Sequence, residues 1–156
     1  MNLNTTLPPR PIASETTLLD TVENFHVELR ASISQAMHAL DRVGVRACLP
    51  AEEALVDRAM GSLLPLVGCL DCSFPLHDNL SSWEYVGIAG ELSDAACGID
   101  ACVLEIDSEI NGELAARLDA VACLCAEMVG PIMALSFAEE EVARRQPGSL
   151  ITLDAA

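Results

Sequence analysis

Lysine is absent from this chain; all eight basic side chains are arginines, and none falls between Arg58 and Arg117. Ten carboxylates do fall there: Asp71, Asp78, Glu84, Glu91, Asp94, Asp100, Glu105, Asp107, Glu109 and Glu113. With a formal net charge of -16 at pH 7, such a surface repels phosphates, which argues against direct nucleic-acid binding and for a basic protein partner. Aromatic residues make up only 3% of the sequence. The core must then be filled by Leu, Val, Ile, Ala, Met and Cys, a palette suited to closely spaced helices rather than to a sandwich built on aromatic and β-branched residues. The opening, Met1 to Thr17, has neither the basic start nor the apolar run of a cleaved secretory signal, so a cytoplasmic location is expected. Seven cysteines, an odd number in that setting, are expected as free thiols.

What is present is apolar periodicity. Apolar residues are 51% of 156 positions, enough for one domain with a continuous core. Spacings of three and four predict an all-α antiparallel bundle of four helices over 15–146, with a disordered N-terminal tail over 1–14 and a flexible C-terminal tail over 147–156. The first helix spans Glu15 to Val43, with Leu18, Val22, Phe25, Leu29, Ile33, Ala36 and Leu40 on one stripe and His38 on the polar face opposite. The second begins at Pro50 and runs to Cys69, with a kink or early end expected from Gly61, Pro65 and Gly68. A loop over Asp71 to Ser81 follows. Ser81 and Glu84 form a capping box for a third helix reaching Ile110, which Asn111-Gly112 breaks. The fourth helix carries Leu114, Leu118, Val121, Cys125, Met128, Ile132 and Leu135, and bends at Gly130-Pro131.

The third and fourth helices also carry small-residue faces, Gly90, Ser93, Cys97 and Ala101 on one and Ala116, Ala120, Cys123, Gly130 and Ala134 on the other. A helix can approach such a face closely, which makes a homodimer through these two helices an expectation. Residues 120–138 hold a single charge, Glu127; that central carboxylate and the Gly-Pro pair argue against a membrane span.

Four constellations bear on chemistry. Cys69-x2-Cys72-x4-His77 offers three soft ligands, a possible zinc site, although a knuckle's fourth ligand position is Ser82. No other cofactor is suggested. Asp107-x-Glu109-x-Asn111-Gly112 resembles the first half of an EF-hand loop, but position twelve is Leu118 instead of a bidentate Glu. His26-Val-Glu-Leu-Arg30 resembles the His-Glu-Leu-Arg box of sensor histidine kinases over five residues; aligning Glu28-Leu29-Arg30 puts Val27 at the histidine position, and no glycine-rich ATP-binding segment follows. A histidine phosphotransfer bundle would need only an exposed histidine, for which His38 with Arg42 one turn on is the candidate. Glu127, if buried on its small-residue face, would be a carboxylate of raised pKa; an interhelical partner such as Arg58 or Arg117, or an exposed groove, would make it structural, and the structural reading is the expected one.

No catalytic set is complete. The expected function is therefore a non-catalytic, small acidic protein-interaction module of bacterial type, with Glu84, Glu91, Glu105 and Glu109 as partner-binding residues. The alternatives are an effector secreted into a host, whose polar unstructured start the Asn/Thr/Pro-rich opening would match, a metal- or thiol-responsive binding protein, and the phosphotransfer bundle.

Overall fold

A computed structural model describes residues 12–46, 49–77 and 80–145. Four helices follow one another: α1 (Ile12–Arg46), α2 (Pro50–Ser73), α3 (Ser82–Glu105) and α4 (Ser108–Arg145). Each packs against its neighbours in sequence, and α4 closes the ring against α1; among the described residues the backbones of the diagonal pairs stay apart. Arg42–Glu113, Arg58–Glu105 and Ser82–Ser136 each join the start of one helix to the end of another, and on the α1–α2 seam Arg30 meets Asp71 while Gly44 faces Val56, so all four seams are antiparallel. The expected four-helix bundle is the fold.

The core follows the periodicity closely. Val22, Leu29, Ile33, Ala36 and Leu40 of α1 are buried, as is the whole α4 stripe from Leu114 to Leu135. On α3 the buried face is Tyr85, Ile88, Ala89, Leu92, Ala96, Ile99 and Cys102, so that alanines and a thiol share the interior with larger side chains. By length and mean hydropathy, 1.8 over its most apolar window, α4 is the described helix that could cross a membrane. Its leucine stripe is covered by α1 and α3.

Four boundaries differ from expectation. Helix α1 already includes Ile12 to Ser14, assigned above to the tail, and passes Gly44 to end at Arg46; residues 1–11 and 146–156, with the remaining tail assignments, lie outside the described residues. Helix α2 continues through Pro65 to Ser73, where Phe74 N–H closes the end on the Leu70 carbonyl at 3.0 Å. Pro65 offers no N–H to the carbonyl four residues back, and that carbonyl belongs to Gly61, an exposed residue.

The third helix stops at Glu105, five residues short of Ile110. Asp107 is the reason: its carbonyl accepts from Ile110 N at 3.1 Å and Asn111 N at 2.8 Å, and its carboxylate accepts from Glu109 N at 3.0 Å. That makes Asp107 the N-terminal cap of α4 and gives the EF-hand-like residues a purely local role. Asn111 is non-helical, at φ −123° and ψ 42°, so the expected interruption is present and sets one turn over 108–110 apart from the long helix that follows, while Gly112 has no positive φ. Pro131 likewise lies within continuous helix. The capping box at Ser81 is formed as predicted, Glu84 N donating to the Ser81 hydroxyl at 3.2 Å and Ser81 N to the Glu84 carboxylate at 2.7 Å.

Candidate interaction groove

An open groove of about 600 Å³ lies between α2 and α3. It exists because α2 spends its groove-facing positions on residues with little side chain: Gly61, Ser62, Pro65 and Gly68. Nothing lies within 4 Å of a methyl group placed on Gly61 or Gly68, whereas on Gly98 of α3 it would come within 3.3 Å of the Ser62 hydroxyl. The two helices touch where Gly98 meets Ser62, and Gly61 and Gly68 leave open space beside that contact. Leu66 and Ala95 form its apolar floor, and Glu91 and Asp94, three apart on α3, form its acidic wall.

The groove holds no basic residue. The nearest cation by sequence, Arg58 on α2, is tied to Glu105 on α3. Acceptors are concentrated here: two carboxylates, the Ser62 and Ser73 hydroxyls, and the Gly61 carbonyl to which Pro65 has no N–H to offer. Cys69 and Cys72 complete the lining. The Cys69 thiol is pushed up to about 12, mainly by burial and then by the Glu91 carboxylate beside it, which makes it a poor nucleophile at neutral pH. Cys72 is exposed.

The other expected site residues are dispersed. Cys69 and Cys72 sit on the last turns of α2, not on an irregular loop, because that helix runs on to Ser73; His77 lies beyond Pro75 and outside the groove lining. Among the described residues no three His, Cys, Asp or Glu side chains are grouped to hold a metal ion. Of the four glutamates assigned to partner binding, only Glu91 lines the groove. Glu84 is occupied in the capping box, Glu105 pairs with Arg58, and Glu109 is exposed in the first turn of α4.

The arginine-free window is also less bare than it reads. Arg30 reaches Asp71 at 2.9 Å, Arg42 reaches Glu113 at 2.7 Å, and Arg58 reaches Glu105, so helices flanking the window supply three counter-charges. Glu91 and Asp94 are without an ion pair among the described residues, which gives the groove a local excess of negative charge.

Glu127 is exposed, one position off the buried stripe at Met128, so the buried-carboxylate alternative fails, and neither Arg58 nor Arg117 pairs with it. Its visible effect is on Cys123, whose thiol is held above its ordinary value by desolvation and by Asp119, Asp100 and Glu127. His26 is buried, 8% exposed, and stacks on Phe74 with ring centroids 4.6 Å apart. Its Nε2 accepts from Arg30 at 2.7 Å, so the histidine-box-like residues form a clasp between α1 and the end of α2. The small-residue faces of α3 and α4 are largely exposed: Gly90, Cys97 and Ala101 on one, Ala116, Ala120 and Gly130 on the other.

Asp94 is the groove residue that sequence reasoning missed. Its three-residue spacing from Glu91 was visible, but only the gap opened by the α2 glycines makes the pair significant. Set against known protein families, characterised proteins and solved structures, the chain matches none of them.

Proposed function

We propose that this chain is an acidic protein-interaction module that receives a basic segment of a protein partner in the α2–α3 groove. The observation that carries this reading is the groove's lining: Glu91 and Asp94 face a cleft with hydroxyl acceptors and no cation of its own. A guanidinium or ammonium entering it meets carboxylates without first displacing an existing ion pair, while its aliphatic stem lies on Leu66 and Ala95. The surrounding negative field accelerates encounter.

The test is a pull-down from lysate at low and high salt, followed by kinetics with the captured protein. The discriminating variant is Glu91→Gln with Asp94→Asn, since changing Glu84 or Glu105 would also remove a helix cap or an arginine's partner. Slower association in that variant, together with loss of affinity at high salt, supports the groove. Unchanged association rates, or binding that strengthens with salt, reject it.

The uncovered faces of α3 and α4 leave room for a second copy of the chain. Ala101→Gln or Ala134→Gln should then lower the mass measured by light scattering, and a monomeric wild type at high micromolar concentration would end that proposal.

A further inference from the structure

On the opposite side of the bundle from the acidic groove, α1 and α4 bring together a cluster that no stretch of sequence contains. His38, exposed on α1, stands between Gln35 one turn before it and Arg42 one turn after. From α4, Arg117 donates to the Gln35 carbonyl oxygen at 2.7 Å, and Glu113 accepts from Arg42 at 2.7 Å. These five side chains line a shallow cavity of about 240 Å³. Two of the chain's eight arginines thus flank one exposed imidazole in a protein of net charge -16.

We propose that His38 is a phosphoryl-acceptor site, its imidazole taking a phosphoryl group from an activated donor while Arg42 and Arg117 neutralise the transferring group. An exposed imidazole is a competent nucleophile at neutral pH, and planar guanidiniums match the oxygens of a phosphoryl group. Both arginines are held by single, solvent-exposed contacts. Such contacts are weak, so a dianionic group can recruit Arg42 away from Glu113 and Arg117 away from Gln35. Gln35 then has its amide N–H available to the same oxygens.

In the transfer an imidazole nitrogen attacks phosphorus, a P–N bond to His38 forms, and the donor's bond to its leaving group breaks. With phosphoramidate as donor the group that departs is ammonia. It takes the proton lost from the imidazole and leaves as ammonium. With an acyl phosphate the departing group is the carboxylate, which takes the bonding electron pair, and the imidazole proton passes to solvent.

The chain supplies its own controls, because it has three histidines. His26 is buried with its Nε2 engaged by Arg30, and His77 is exposed on the α2–α3 loop away from this cluster. The full chain is incubated with phosphoramidate at neutral pH, and occupancy at each histidine is followed by mass spectrometry under conditions that preserve the acid-labile P–N bond. His38 should label about tenfold faster than His77, the effect of two positioned cationic donors at an exposed site. Arg117→Gln and Arg42→Gln should each slow His38 toward the His77 rate without altering His77 itself. Equal rates at His38 and His77 in the unmodified chain overturn the proposal, and this comparison needs no variant to fold. Arginine variants that label His38 at the original rate overturn it as well. The measurement is independent of the α2–α3 groove, so either reading can fail alone.

Discussion

Helices α2 and α4 carry the same interruption, a mid-helix proline, and turn it to different ends. In both the proline lies in unbroken helix, and the carbonyl it leaves behind belongs to an exposed residue, Gly61 in α2 and Glu127 in α4. What separates the two is their neighbours. Helix α4 lies between α1 and α3 with an uninterrupted buried stripe from Leu114 to Leu135, so it is the spine of the bundle. Helix α2 packs more sparsely, and its proline and glycines face a groove rather than another helix. Residues that weaken a helix are thus harmless on the wet side of a spine, and on a peripheral helix they shape a binding surface.

The sharpest way to break this comparison is to cut a leucine from each helix. Leu118→Ala in α4 should cost about 4 kcal/mol, and Leu66→Ala, on the groove floor, nearer 2 kcal/mol, because the open side lets the site collapse. Urea unfolding measures both, and equal losses would deny α4 its special place. Neutralising the groove wall with Glu91→Gln and Asp94→Asn should slow partner association about tenfold with little change in stability.

Alkaline pH probes the two sides through their thiols. Burial pushes Cys125 of α4 up to about 12, and burial with Glu91 does the same for Cys69 of α2. A pKa raised by folding contributes stability that is complete below the unfolded thiol's value, near 9, and is lost as pH climbs through the folded value. The melting temperature should therefore fall between about pH 9 and pH 12, and a Cys69→Ser, Cys125→Ala variant should show a shallower decline in the same titration. Smaller still, Ser81→Ala should cost about 1 kcal/mol by removing the α3 cap. Arg58→Gln, which frees an exposed ion pair, should cost under about 0.5 kcal/mol in the same unfolding assay.

Helix number, the buried stripes of α1 and α4 and the Ser81 cap were legible because each rests on contacts between residues three or four apart. The end of α3 was not. Asn111-Gly112 reads as the stronger break, yet Asp107 caps the next helix with carbonyl and carboxylate together, and Ile106 is drawn into the core. The site was legible only in parts. Glu91 was singled out, but its partner Asp94 acquires meaning from glycines on another helix. His38 and Arg42 were visible as a pair, whereas Arg117 lies 82 positions from the Gln35 that receives it. Glu127 could be read only conditionally, because the sequence does not say which way the small-residue face of α4 turns, and the structure leaves it exposed.

The ring of seams has an uneven distribution of covalent links. The seam between α1 and α4 has no connecting loop and is held by extensive side-chain packing, whereas α2, with the sparsest packing, is tethered to a neighbour at both ends. Chain connectivity thus supplies effective concentration where interfacial packing is thin. Helix α2 is therefore expected to open while the other three stay together, a sub-global opening rather than global unfolding. Amide hydrogens of α2 should accordingly exchange with solvent at lower free energy than those of α4, and a ligand seated between α2 and α3 would slow that exchange in one helix while leaving the spine's unchanged.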